Sequence, residues 1–285
     1  MKKITKRIVC ILSIVAIFMM VGCTKKTDDT KAANRLEAIK ERGYIEVATE
    51  PAFAPYEFTD PAQADSEKYQ GSDIEFAKYI ANKLEVELRI VPLEFSAVLA
   101  GVADGKYDLA ISALAYTPAR EEAMILSKGY YFSEESSGHG LLIREEDADK
   151  IKGVEDLADK TLSLQSGSLQ ELLATKQIPM SKETKRVSAS TDAYLMVQEN
   201  KADVAVTNID LAQLYIEANP TCGLTLVKDF RFEIGKEYDG TRVGIPLGES
   251  ELEEFINSTI DEVIESGEYA KWYLEAKEYA KSLGL

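Results

Sequence analysis

Two hydrophobic patterns alternate along most of the chain. Short and almost wholly apolar runs predict strands, two of them (108–114 and 202–207) so apolar that we expect burial on both faces. The other predicted strands are 44–48, 86–92, 161–164 and 242–246. Segments with apolar residues at helical spacing lie between them, at 35–40, 73–82, 95–103, 117–122, 169–173, 191–199, 209–218 and 249–281. This alternation predicts an α/β fold with parallel sheets, in which Asp73 and Thr117 cap helices.

Two irregular stretches, 130–140 and 235–240, interrupt this pattern. Two interruptions imply two chain crossings between lobes, so that the second lobe is inserted into the first. We expect one lobe to comprise 35–134 and 239–285, and the other 135–238. A ligand would then lie in the cleft between the lobes, at the carboxyl ends of the strands.

The first residues carry a different pattern. A short basic segment, ending at Arg7, precedes an apolar run over 8–21 that contains Ser13 as its polar residue. Such a run has the length of a signal-peptide apolar region and is short for a permanent membrane span. Residues 20–23, Met-Val-Gly-Cys, resemble a bacterial lipobox, which implies cleavage after a signal peptide of residues 1–22.

Lipidation of Cys23 would anchor the protein at the outer face of the bacterial cytoplasmic membrane. Residues 23–34 would form a flexible tether, because they are polar and small. The alternative is an uncleaved anchor helix. The polar run that begins at Thr24 argues against it.

Charge and cysteine content narrow the function classes. The formal net charge is −16 and the leader is basic, so the remainder is more acidic still, which argues against nucleic-acid binding. Once Cys10 is removed and Cys23 is lipidated, Cys222 has no disulfide partner. With His139 as the sole histidine, we predict neither a metal site nor a cofactor.

Several short motifs occur in an order and spacing typical of one family. They are 47–58, 71–76, 105–111, 117–120, 127–131, 156–160, 167–168 and 267–269. Together they resemble bacterial extracellular solute-binding proteins of the polar-amino-acid ABC transporter family, with a pattern like that of glutamine-binding proteins. The resemblance implies a type II periplasmic-binding-protein fold and a monomer. It also implies that an amino acid or related small zwitterion is delivered to the permease subunits of an ABC transporter.

The resemblance also implies which residues hold the ligand's carboxylate. Arg120 matches the arginine that clamps it, and a planar guanidinium can donate two parallel hydrogen bonds to a carboxylate. Ala113 and Ala115 match positions that offer a carbonyl and an amide. Ser168 and Leu169 match a helix N-terminus that donates backbone amides.

Further positions match the walls around the rest of the ligand. Phe53 and Phe95 match two aromatic residues that sandwich it, and Glu50 matches an acidic position that reaches a polar or cationic side chain. Two more residues are expected beside them: Ser112, which would add a hydroxyl, and Gln165, which would lie opposite Glu50 in the second lobe.

Asn208 departs from the family pattern. The family usually has an aspartate here, which pairs with the ligand's α-ammonium, whereas an amide supplies no charge. Either the ammonium relies on Glu50, the Ala113 carbonyl and Asn208 together, or the ligand is not a standard α-amino acid.

Two other functions stay open at this point. One is an enzyme on the same fold, resembling cyclohexadienyl or arogenate dehydratases. It would need a positioned acid, for which Glu50 is the candidate, whereas His139 is expected to be structural or solvated. The other is a ligand-sensing subunit for a separate signalling partner. We expect a binding protein without enzymatic activity.

Overall fold

The apolar runs of the sequence form the strands of two five-stranded sheets in the computed structural model, which describes residues 32–132 and 138–285. The strands are β1 (Tyr44–Thr49), β2 (Ala52–Phe53), β3 (Glu57–Thr59), β4 (Tyr69–Gln70), β5 (Glu87–Pro92), β6 (Leu109–Ala115), β7 (Ile125–Leu126), β8 (His139–Arg144), β9 (Thr161–Gln165), β10 (Glu183–Val187), β11 (Val204–Asn208), β12 (Leu224–Leu226) and β13 (Thr241–Ile245). The predicted signal peptide and Cys23 lie outside the described residues.

The α-helices occupy the segments with helical spacing. They are α1 (Arg35–Arg42), α2 (Ser72–Leu84), α3 (Phe95–Ala103), α4 (Pro118–Ala123), α5 (Leu169–Gln177), α6 (Ser190–Gln198), α7 (Ile209–Ala218), α8 (Ser250–Ser266) and α9 (Glu268–Leu283). Across 32–132 and 138–285, every helix is too short or too polar to cross a membrane.

The first sheet has the strand order β5-β1-β6-β13-β7, and the second has β10-β9-β11-β8-β12. Each sheet is mixed. In the first, β1 runs parallel to β5 and β6, whereas β13 is antiparallel to β6 and β7. In the second, β9 runs parallel to β10 and β11, whereas β8 is antiparallel to β11 and β12.

The prediction of an α/β fold is confirmed, but the prediction of parallel sheets is wrong for part of each sheet. A helical crossover between two strands of one sheet requires them to be parallel. The chain reaches β8 and β13 after leaving the other sheet, so no such crossover fixes their direction. The expected lobe bounds, 35–134 with 239–285 and 135–238, stay a prediction.

Apolar faces of helices pack on the first sheet to form a buried cluster. Its members come from α1, α2, α8, α9 and the sheet itself: Ile39, Ile45, Val47, Phe76, Ile80, Leu109, Val243, Ile245, Ile256 and Ile260 are among them. Trp272, the single tryptophan of the sequence, packs at the edge of this cluster. Its ring centroid lies 5.8 Å from that of Tyr79 and 6.3 Å from that of Tyr269.

The start of α2 differs from the prediction that Asp73 caps this helix. Gly71 is the N-cap residue, and the Asp73 side chain makes no capping bond. Gly71 has φ 124°, and a Cβ there would lie 2.1 Å from the carbonyl oxygen of Tyr56, so a glycine is required. Asp73 is instead buried beneath the predicted ligand site.

Candidate functional site

A cavity of about 360 Å³ lies where strands of both sheets end. β1, β6, β9 and β11 each finish at this edge, because the carboxyl ends of parallel strands meet there. The structure brings all eleven predicted site residues to the cavity wall: Glu50, Phe53, Phe95, Ser112, Ala113, Ala115, Arg120, Gln165, Ser168, Leu169 and Asn208. Their contacts with a ligand stay a prediction.

Arg120 provides a buried positive charge at this wall. It lies in the first turn of α4, where the Thr117 hydroxyl accepts a hydrogen bond from its backbone N–H at 3.2 Å, as predicted for this cap. The side chain is 5% exposed; Nη1 donates to the Ala115 carbonyl at 2.7 Å and Nη2 to the Gly167 carbonyl at 2.9 Å.

No carboxylate of the described residues pairs with the Arg120 guanidinium, which lies 5.2 Å above the centre of the Phe95 ring. Burial lowers the pKa of Arg120 to about 10, so the group remains charged at neutral pH. A buried cation that bonds to neutral carbonyls alone is a favourable site for an anionic ligand group.

Glu50 joins the walls that the two sheets contribute. It follows β1 and is 4% exposed, and its Oε2 accepts a hydrogen bond at 2.9 Å from Nε2 of Gln165, the last residue of β9. Burial raises the pKa of Glu50 to about 7, against the lowering effect of the Gln165 bond. Asp192 and Glu94 raise it further by charge repulsion. The carboxyl group therefore titrates near neutral pH.

A second carboxyl group lines the cavity that the sequence did not single out. Glu57 of β3 is 1% exposed, and its Oε1 accepts a hydrogen bond from the Ser112 hydroxyl at 2.8 Å. Burial raises the pKa of Glu57 well above its ordinary value, and the nearby charge of Asp73 adds to this. Glu57 is thus protonated at neutral pH.

Asp73 fixes the wall from beneath. Its carboxylate accepts hydrogen bonds from the backbone N–H of Ala113 at 2.7 Å, from the Tyr130 hydroxyl at 2.9 Å and from the Tyr269 hydroxyl at 2.5 Å. Ala113 has φ 45°, a left-handed conformation that costs energy for a residue with a Cβ. The bond to Asp73 holds this peptide in place at the cavity.

Residues of the second sheet complete the opposite wall. Ser168 is the N-cap of α5: its hydroxyl accepts from the Glu171 backbone N–H at 3.1 Å and donates to the Gln165 carbonyl at 2.7 Å. Leu169 begins the helix. Asn208 ends β11 and is the N-cap of α7, where its Oδ1 accepts from the Leu211 backbone N–H at 3.0 Å.

His139 also lines the cavity, although the sequence placed it in an irregular crossing. It begins β8 and pairs in register with Asn208, and burial lowers its pKa to about 4, so the imidazole is neutral at physiological pH. The expectation of a solvated histidine is wrong, because its Nδ1 is buried. The apolar residues 141–143 were the signal for this strand.

The sequence matches the family model of bacterial extracellular solute-binding proteins, family 3, over residues 45–276. A probable histidine-binding protein of Campylobacter jejuni is 28% identical over 204 residues, which are 70% of this chain and 73% of that protein. The L-cystine-binding protein TcyA of Bacillus subtilis is 23% identical over 273 residues, covering 93% of this chain and 95% of that protein.

Solved structures give the same result. The amino acid ABC transporter substrate-binding protein AbpA of Streptococcus pneumoniae, bound to L-arginine, superposes with a TM-score of 0.75 and 33% sequence identity. The match covers 86% of this chain and 98% of that protein. With its mixed α/β sheets and a cavity between them, this chain belongs to family 3 of the bacterial extracellular solute-binding proteins.

Proposed function

We propose that the protein captures an amino acid or related small zwitterion in the cavity and delivers it to the permease of an ABC importer. The observation that carries this proposal is Arg120, a buried cation at the cavity wall with neutral hydrogen-bond partners. Relatives named for binding histidine and cystine, and a similar structure with bound L-arginine, support the ligand class.

The ligand's carboxylate would bind Arg120 by charge-assisted hydrogen bonds, with the backbone amide of Leu169 at the α5 N-terminus as a further donor. Phe53 and Phe95 would cover its aliphatic part. Glu50 would face a polar or cationic side-chain end. No covalent bond forms or breaks in such capture, and we infer that the protein has no enzymatic activity. Turnover of prephenate or arogenate by the purified protein would contradict that inference.

Capture would be coupled to closure of the cleft. Two hydrogen bonds already join the walls from the two sheets, Gln165 to Glu50 and Arg120 to the Gly167 carbonyl. A ligand that bridges the same walls binds the closed arrangement better than an open one and shifts the population towards it. The permease would recognise the closed form.

Replacing Arg120 tests the proposal. Arg120→Ala removes both donors to the carboxylate, so we expect about 100-fold weaker binding of the amino acid that binds best, equivalent to about 2.8 kcal/mol. Isothermal titration calorimetry against the standard amino acids measures this. The control is Arg89→Ala, which removes an exposed arginine of β5 that pairs with Glu87 outside the cavity.

We expect Arg89→Ala to bind as the unmodified protein does. Undiminished binding by Arg120→Ala, or the absence of any amino-acid ligand for the unmodified protein, would contradict the proposal.

A further inference from the structure

We propose that the ligand presents a neutral oxygen acceptor, not an ammonium group, to the cavity wall at Asn208. This inference rests on the proposed function and narrows the ligand to a class. Its members carry a carboxylate for Arg120 and a carbonyl oxygen beside that carboxylate. Any positive charge of such a ligand lies on its side chain, towards Glu50.

The orientation of the Asn208 amide is the first observation. Oδ1 accepts the hydrogen bond of the Leu211 backbone N–H at 3.0 Å, because the first turn of α7 needs an acceptor there. The polar atom that remains for the cavity is therefore Nδ2, which only donates. An ammonium group placed against it would meet a donor. An aspartate could cap the same helix with one oxygen and still offer the other.

The acceptors around Arg120 are the second observation. The carbonyl oxygens of Ala115 and Gly167 already accept from the guanidinium. The side chains of Ala113 and Ala115 are methyl groups and offer no hydroxyl. An ammonium bound here would rely on neutral backbone oxygens that are already partly used, and an uncompensated buried charge costs several kcal/mol.

The two carboxyl groups of the cavity do not replace the missing charge. Glu57 is held by the Ser112 hydroxyl and carries a proton at neutral pH. Glu50 is held by Gln165, and neither carboxyl forms an ion pair with Arg120 among the described residues. Glu50 is thus left to the far end of the ligand.

Two kinds of molecule share this chemistry. An Nα-acyl amino acid offers the carbonyl oxygen of its acyl group, and a 2-oxo acid offers the oxygen that stands in place of the amine. In both, a donor at Asn208 and a cation at Arg120 meet two oxygen acceptors close together. A free α-amino acid has one such oxygen group and one cation.

Calorimetry on matched triples tests the inference. Each triple contains a free amino acid, its Nα-acetyl derivative and its 2-oxo acid, with a basic, a neutral polar or an aliphatic side chain. In the triple that binds best, we expect the acetyl or the 2-oxo member to bind at least tenfold more tightly than the free amino acid. Which of the two binds more tightly identifies the source of the oxygen.

Asn208→Asp provides the reciprocal test. Aspartate caps helices as well as asparagine does, so the fold is retained, while the cavity atom changes from a donor to a charged acceptor. We expect the preference to reverse, with at least tenfold tighter binding of the free amino acid. The control is Asn200→Asp, which adds the same charge at an exposed turn with φ 58° that aspartate tolerates.

The outcomes separate this inference from the proposed function. If a free amino acid binds to the unmodified protein as tightly as its acetyl and 2-oxo counterparts, or more tightly, the inference is wrong and the proposed function stands. An unchanged preference in Asn208→Asp also overturns it. If no member of any triple binds, both proposals fail. Ala115→Ser, which restores a hydroxyl acceptor, repeats the test at a second position.

Discussion

Glu50 illustrates what burial does to a single side chain. The folded protein raises its pKa from 4.5 to about 7, so the folded state holds a proton that the unfolded chain has already released in between. The stabilisation that this provides is complete below about pH 4.5 and is lost as pH rises through about 7. The free energy of unfolding of the ligand-free protein therefore contains a contribution that falls towards alkaline pH.

Glu50→Gln removes this contribution, since an amide does not titrate. Relative to the variant, the unmodified protein should lose about 3 kcal/mol between pH 4.5 and pH 8, as an upper value. Urea unfolding of both proteins at several pH values measures the difference. Glu41→Gln, at an exposed position of α1, is the control and should run parallel to the unmodified protein. Parallel curves for Glu50→Gln as well would show that Glu50 is not the titrating group.

At the same scale, the sequence located some cavity residues and missed others for a physical reason. Gln165 and Asn208 end strands that follow helices, and a helical crossover places such strand ends at one edge of the sheet. Glu57 lies on a strand of three residues, and His139 follows a crossing between sheets. No local periodicity marks either position, so their place at the cavity depends on packing between distant segments.

Among the helices, α5 shows how one residue serves both an element and the cavity. The Ser168 side chain caps α5 and also donates to the Gln165 carbonyl, while the backbone of Leu169 carries the amide proposed for the ligand. The stability of the helix and the binding of the ligand therefore depend on different atoms.

Ser168→Ala should lower the free energy of unfolding by about 1 kcal/mol, because the Glu171 backbone N–H loses its acceptor. Ligand affinity should change less than tenfold, since the backbone amide is kept. Denaturant unfolding and calorimetry measure the two effects. Ser258→Ala, at an exposed position of α8, should change stability by less than about 0.5 kcal/mol. Equal stability of both variants would contradict a capping role for Ser168.

Helix starts were predictable where the cap is local and unpredictable where it is not. Thr117 bonds to a backbone group three residues away, which a short pattern can indicate. Asp73 has the residue type of a cap, but its donors lie 40, 57 and 196 positions away, at Ala113, Tyr130 and Tyr269. Competition from these tertiary partners decides the role of Asp73, and the local sequence contains no trace of them.

At the scale of the whole molecule, the site depends on both sheets. Arg120, Glu50 and Ser112 come from the first, and Gln165 and Asn208 from the second. A ligand that contacts both walls stabilises the folded protein as a unit. At a ligand concentration 100 times the Kd, the gain is about 2.7 kcal/mol. The family resemblance indicated this arrangement from the order of its motifs, whereas the periodicity alone gave only the elements.

Cys23, which lies outside the described residues, determines where we expect the molecule to be found. Cys23→Ala should move the protein from the detergent phase to the aqueous phase of a detergent-partition assay, because a binding protein without acyl chains has no membrane affinity of that kind. Cys10→Ala, a change within the predicted signal peptide, should leave the protein in the detergent phase. An aqueous unmodified protein, or one whose intact mass lacks an acyl addition, would contradict lipidation.

The position of Trp272 has a consequence for spectroscopy. This single indole packs against Tyr79 and Tyr269 on the far side of the first sheet and does not line the cavity. Its emission spectrum therefore reports the packing of α9 without direct quenching by a ligand. A ligand can alter that emission through Tyr269, which bonds to Asp73, which in turn holds the Ala113 peptide at the cavity. Intrinsic fluorescence thus monitors the buried support of the binding wall and not the occupancy of the wall itself.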